Sequence, residues 1–104
     1  MVNSSINNLL NPEIIAEKGE KIYQEKLKDI LEKGHKGEFV AIEVESERYF
    51  LGRTPEEALG IAKKEFSDRI FHLIRIGYSG IYEIIDFTKV KKDGVDINEI
   101  LKRL

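Results

Sequence analysis

The chain contains no cysteine and no tryptophan, one methionine and only two prolines. Without cysteine there is no disulfide, no thiolate metal ligand and no cysteine nucleophile, and the chain suits a reducing compartment; we expect the cytoplasm. No apolar run approaches the ~20 residues that span a bilayer. Met1 to Asn11 also lack the basic start and apolar centre of a signal peptide, so neither membrane insertion nor export is expected. Net charge is small as well, at -2, which gives no long-range pull toward nucleic acid or anionic lipid. What the chain does have is 35% charged and 41% hydrophobic residues, the balance of a globular protein rather than a disordered one. At 104 residues it has length for one core and not for two.

Residues 1–11 read as a polar, Asn-rich arm, residues 12–87 as a single α+β domain, and residues 88–104 as a basic connector with a short tail helix. Asn11, Pro12 and Glu13 supply an N-cap, a first-turn proline and an early acid, which start a helix. Ile15, Ile22, Tyr23, Leu27, Ile30 and Leu31 give it an apolar stripe to about Lys33, where Gly34 supplies a left-handed cap; Gly19 is a weak point inside it. Alternation over Glu38 to Glu45 predicts a strand. Ser46 and Glu47 turn it into a second, aromatic-rich strand that ends at Gly52. Thr54, Pro55 and Glu57 form the strongest start signal in the chain, a capping box before a helix whose stripe is Ala58, Leu59, Ala62 and Phe66. Ile70 to Ile76 is apolar on both faces, as a central strand covered twice reads, and Ile81 to Phe87 follows as a fourth strand. Asp96 and Glu99 repeat the capping spacing before a tail helix with Ile97, Ile100, Leu101 and Leu104 on one side. The expected fold is therefore α+β in the order α-β-β-α-β-β, with one mainly antiparallel four-stranded sheet packed by helices and a short C-terminal helix.

Each face of the third strand needs a cover. The second helix can take one face, while the first helix, the tail helix or a second copy takes the other, so Phe71, Leu73, Arg75 and the tail residues Ile97, Ile100, Leu101 and Leu104 are candidates for an interaction surface and a homo-oligomer is expected.

The chemistry-bearing residues are few. His35 and Lys36 follow a helix C-terminus, where cations suit the dipole, and His72 lies on a strand face as a core or interface histidine; these three and Arg75 are the ligand candidates. Arg75 sits in an apolar strand and must find a carboxylate, for which Glu43 or Glu83 is placed, or else recognise an anion in a ligand or partner. His72 and Arg75 differ by an odd number of residues and so point to opposite faces. Glu43, Glu45 and Glu47 read as solvated charge along a strand edge. No catalytic constellation, metal set or cofactor loop emerges: the glycines occupy turns rather than a phosphate cradle, and no histidine accompanies the acids at ligand spacing. The balance is against an enzyme.

The stretch from His35 to Ile84 resembles a family of short, uncharacterised prokaryotic proteins, a domain of unknown function. The resemblance is carried by His35-Lys36-Gly37, Phe39-Val40-Ala41-Ile42, Tyr49-Phe50-Leu51-Gly52, Thr54, Glu57-Ala58-Leu59 and Ile74-Arg75-Ile76-Gly77-Tyr78. It implies a compact α+β unit. Gly37 to Ala41 and Gly52 to Leu59 are also similar to segments of HicB-type antitoxin domains, a likeness that implies regulation of a partner protein. No clear DNA-binding extension follows the domain, and operator binding is not expected. The function expected is a non-enzymatic, self-associating interaction module, antitoxin-like toward a protein partner. The alternatives are a small ligand-binding protein or hydrolase using His35, His72 or Arg75, and a nucleic-acid binder using the basic tail of Lys89, Lys91, Lys92, Lys102 and Arg103.

Overall fold

A computed structural model describes residues 11–78 and 81–89. The chain is α+β, with one antiparallel four-stranded sheet and helices on both of its faces. The first helical segment has three parts: α1 (Pro12–Ile22), a π-turn (Tyr23–Leu27) and α2 (Lys28–Gly34). β1 (Phe39–Glu43) and β2 (Arg48–Gly52) form a hairpin, α3 (Pro55–Glu65) crosses over, and β3 (Ile70–Arg75), β4 (Tyr82–Asp86) and a 3-10 turn (Phe87–Lys89) follow. The sheet order is β2-β1-β3-β4. The arm over residues 1–10 and the expected tail helix, including Ile97, Ile100, Leu101 and Leu104, lie outside the described residues.

Both helix starts follow their local chemistry. Asn11 Oδ1 accepts from Glu13 N at 2.9 Å and Thr54 Oγ1 accepts from Glu57 N at 3.1 Å, each ahead of a first-turn proline. The weak point expected at Gly19 is not where the first helix departs from regularity; the irregularity is the π-turn at Tyr23–Leu27. Of the helix's buried residues, all but Ile22, namely Ile15, Gly19, Tyr23, Leu27 and Leu31, recur every fourth position, a spacing that drifts ~40° per step in a regular α-helix of 3.6 residues per turn. The wider π-turn, in which Lys28 N bonds Tyr23 O, takes up that drift and keeps the stripe on the sheet. Ile30, placed on the stripe by sequence, is instead exposed. Gly34 is also not the left-handed cap. The helix ends at His35 (φ −130°, ψ 19°), whose N–H bonds Leu31 O, and the positive φ falls on Gly37.

The two apolar faces of β3 are covered within the chain. Val40, Ile42, Ile74 and Ile76 pack with Ile15, Tyr23, Leu27 and Leu31 of the first helical segment. On the other side Ala41, Phe50, Phe71, Leu73, Ile85 and Phe87 pack with Ala58, Leu59 and Ala62 of α3, and the ring of Phe71 meets those of Phe50, Phe66 and Phe87 at 5.6–6.4 Å between centroids. Phe71 and Leu73, proposed from sequence as an interaction surface, therefore belong to this second core. No second copy is needed to cover the sheet.

Candidate functional site

His72 is the only residue with a histidine ring inside the sheet-helix layer, and its side chain is 0% exposed. Its place depends on Gly19, where a Cβ would lie 2.4 Å from His72 Cγ and Cδ2; the bare backbone of α1 is what leaves room for the imidazole. Nε2 lies 3.0 Å from Oε2 of Glu20, on the next residue of α1. A carboxylate only accepts, so the neutral ring carries its proton on Nε2 and donates it to Glu20. Nδ1 is then a bare acceptor, buried with no hydrogen-bond partner among the described residues. The ring of Tyr82, on β4, closes the remaining side with centroids 4.9 Å apart.

Burial holds the His72 imidazole below its ordinary value of 6.5, and the Glu20 carboxylate opposes this only in part. The unfolded chain takes up the proton near pH 6.5 while the folded chain resists it, so the unfolded state binds more protons in that window. This contribution to stability is complete above pH 6.5 and is lost as pH falls through the lower folded value. The thermal midpoint is expected to drop between pH 7.5 and pH 5.5, and His72→Gln should flatten that slope. An unchanged slope in the variant would assign the pH dependence to other groups.

Beside this pair, Tyr23 closes the π-turn onto the sheet end. Its hydroxyl donates to Glu32 Oε2 at 2.8 Å and accepts from Gly77 N at 3.2 Å, and burial, aided by Glu32, pushes its pKa up to about 12. Tyr23 with Glu20, Glu32, Lys28 and Tyr78 lines a small recess of about 120 Å³.

Arg75 lies on the opposite face, as the odd spacing from His72 requires. The sequence expectation that Glu43 or Glu83 neutralises it is corrected. Its Nε donates to the Gly37 carbonyl at 3.2 Å, and its Cζ stands 4.1 Å from the Tyr78 ring centroid and 5.8 Å from that of Phe39. Glu43 is at the far end of β1, since Arg75 pairs with Phe39 and Glu43 with Phe71. It is also not solvated edge charge: it is buried, and its carboxylate accepts from Ser46 N at 2.9 Å and Glu45 N at 3.2 Å, so it caps the hairpin turn. Glu47 pairs with Lys26 and Glu45 with Arg69, both on the surface, where such pairs contribute about 0–1 kcal/mol. His35 Nδ1 lies 2.9 Å from Glu38 Oε1, a local contact three residues away. The stem of the Lys36 side chain lies over Gly77, where a Cβ would meet Lys36 Cγ at 2.7 Å.

The four ligand candidates thus divide between the two sides of the sheet: His72 is sealed under α1, whereas Arg75, on the α3 face, bonds the Gly37 carbonyl of the loop after α2 that carries His35 and Lys36. Sequence reasoning missed the groove that borders Arg75. It has a volume of about 430 Å³ and is walled by Phe39, Pro55, Leu73, Ile81, Tyr82 and Glu83. Its only sequence signal was the charge of Arg75 inside an apolar strand. Among the described residues there is no group of three or more His, Cys, Asp or Glu that could hold a metal ion, and no helix long and apolar enough to cross a membrane. In comparisons with protein-family models, curated proteins and solved structures, none matches the chain.

Proposed function

We propose that the chain is a non-enzymatic interaction module that self-associates by pairing the outer edges of β4 and restrains a partner protein in the manner of an antitoxin. The observation that supports pairing is the character of that edge. Arg75 N bonds Ile81 O and Phe87 N bonds Arg69 O, so the odd-numbered residues of this strand turn their backbone groups toward β3. In an antiparallel ladder the alternate residues, here Tyr82 and Ile84, then turn theirs away from the sheet. Among the described residues no strand meets them there. β2, the other edge, carries Arg48 paired with Glu65 at 2.8 Å, a charged guard of the usual kind. The β4 edge presents Ile81 and Tyr82, 52% and 44% exposed, beside the exposed Glu83.

Two copies related by a twofold axis normal to the sheet pair antiparallel. Centring on Ile84 sets Tyr82 opposite Asp86 and Glu83 opposite Ile85 of the other copy, whereas centring on Glu83 sets two carboxylates face to face. The register centred on Ile84 is favoured. The placement of His72 on the sheet face opposite Arg75 supports a binding rather than a catalytic role. The antitoxin element rests on the likeness of Gly37 to Ala41 and Gly52 to Leu59 to HicB-type domains.

Native mass by size exclusion with light scattering tests the pairing. The wild type should show twice 12.0 kDa. Ile84→Pro removes an outward N–H without breaking the β3–β4 ladder, as proline is tolerated on an edge strand, and should leave a folded single chain. A monomeric wild type at micromolar concentration, or a folded Ile84→Pro variant that still assembles, sinks the edge-pairing reading.

A further inference from the structure

We infer that the groove beside Arg75 is a binding site for a zwitterion with an apolar body, of the chemical class of an apolar α-amino acid. It lies on the α3 face of the β3–β4 pair, and three of its wall residues, Ile81, Tyr82 and Glu83, belong to or border the strand whose backbone edge is used for pairing. Its volume of about 430 Å³ is within the range of small-molecule sites, and Phe39, Pro55, Leu73 and Ile81 give it apolar walls.

Two charges of opposite sign border this apolar space without neutralising each other. Arg75 makes no ion pair among the described residues: its Nε is taken by the Gly37 carbonyl, and its guanidinium lies against Tyr78. That anchoring fixes the plane of the group and leaves the terminal nitrogens as a preset donor fork, the geometry that matches a carboxylate. Glu83 stands opposite Leu73 in the β3–β4 register, diagonal to Arg75 and on the same face. Its carboxylate too makes no hydrogen bond or ion pair among the described residues, and its side of the groove is exposed.

The combination selects the ligand. A phosphate or other multiply charged anion would suit Arg75 but meet Glu83, and an amine would suit Glu83 but meet Arg75. A molecule bearing one carboxylate and one ammonium satisfies both, and its apolar side chain covers Leu73 and Ile81. The site needs no chemistry from the ligand, only recognition.

L-phenylalanine is a direct probe, with 3-phenylpropionate and phenethylamine as the analogues lacking its ammonium and its carboxylate. By calorimetric titration of the full chain, L-phenylalanine should bind saturably in the millimolar range or tighter, and each analogue should bind about tenfold or more weakly. Arg75→Lys should weaken L-phenylalanine by about tenfold, since a point charge cannot replace a bidentate fork. Glu83→Gln, at an exposed position where folding is not at risk, should bring 3-phenylpropionate level with L-phenylalanine. The methyl resonances of Leu73 and Ile81 should shift on titration. Absence of saturable binding, equal binding of all three compounds, or indifference to both substitutions would overturn the assignment, and none of these outcomes bears on the native mass that tests edge pairing.

Discussion

Gly52→Ala is expected to cost on the order of 3 kcal/mol or more, enough to remove a large share of the stability of a domain of this size. A Cβ at Gly52 would lie 2.3 Å from Ala58 N and 2.9 Å from Ala58 Cα and from the Glu57 carbonyl carbon. All three are backbone atoms in the first turns of α3, where Thr54 Oγ1 binds Glu57 N and Thr54 O accepts from Ala58 N at 3.1 Å. A side chain in the way can rotate; a capped helix start cannot. Relief requires lifting α3 from β2, which opens the core of Phe50, Ala58, Leu59 and Phe71. Urea denaturation followed by far-ultraviolet circular dichroism measures the loss. Gly60→Ala is the matched control, because nothing lies within 4 Å of a Cβ there, inside α3. It should gain about 0.5–1 kcal/mol from helix propensity. A Gly52→Ala variant as stable as the wild type would mean that the end of β2 and the start of α3 do not approach as described.

Gly52 marks the boundary between what the sequence discloses and what it does not. Asn11-Pro12-Glu13 and Thr54-Pro55-Glu56-Glu57 disclose helix starts because a cap is a contact among residues two or three apart. Alternation discloses β1, and a doubly apolar run discloses the central position of β3, because side-chain direction has a fixed period in a strand. The closure of each face required long-range information. Nothing in the composition of Pro12–Gly34 separates a helix that packs on its own sheet from one that leaves the face to a partner. The π-turn was hidden for a related reason: an apolar stripe with four-residue spacing fits either a straight helix with a drifting stripe or a wider turn that holds it, and packing on the sheet beneath selects the second.

The charged residues were misplaced by the same limit. Glu43 alternates like a solvent-facing residue, yet the hairpin turn folds back so that Ser46 N and Glu45 N reach its carboxylate. A buried acid that accepts two amides is a turn element. Arg75 was matched to carboxylates by charge, whereas the loop after α2 and the turn after β3 offer it a carbonyl and an aromatic face. Charge complementarity read along a sequence cannot weigh a carbonyl supplied from 38 residues away. The candidate groove inherits this difficulty, because its walls come from β1, the start of α3, β3 and the approach to β4.

Gly19 carries the second large effect, and its sign separates two accounts of the same residue. As an interior helix glycine it should be a defect, and replacement by alanine should raise stability by about 1 kcal/mol. As the floor beneath His72 it is required. A Cβ there would stand 2.4 Å from His72 Cγ and Cδ2 and 2.6 Å from its Cβ, so the conflict lies at the root of the ring, where rotation gives no relief. Tyr82 behind the ring and the Nε2 bond to Glu20 close the other directions. Gly19→Ala is therefore expected to destabilise by about 2–4 kcal/mol and to shift the Tyr82 and His72 ring resonances. In a His72→Ala background the obstruction is gone, and the same substitution should become neutral or stabilising. The double-mutant cycle measures the close approach directly, with an expected coupling of about 2–3 kcal/mol between positions 53 residues apart in the chain. A Gly19→Ala variant that gains stability in the presence of His72 would show that α1 does not lie on β3 at the distance described, and with it would fall the sealed imidazole and its predicted dependence on pH.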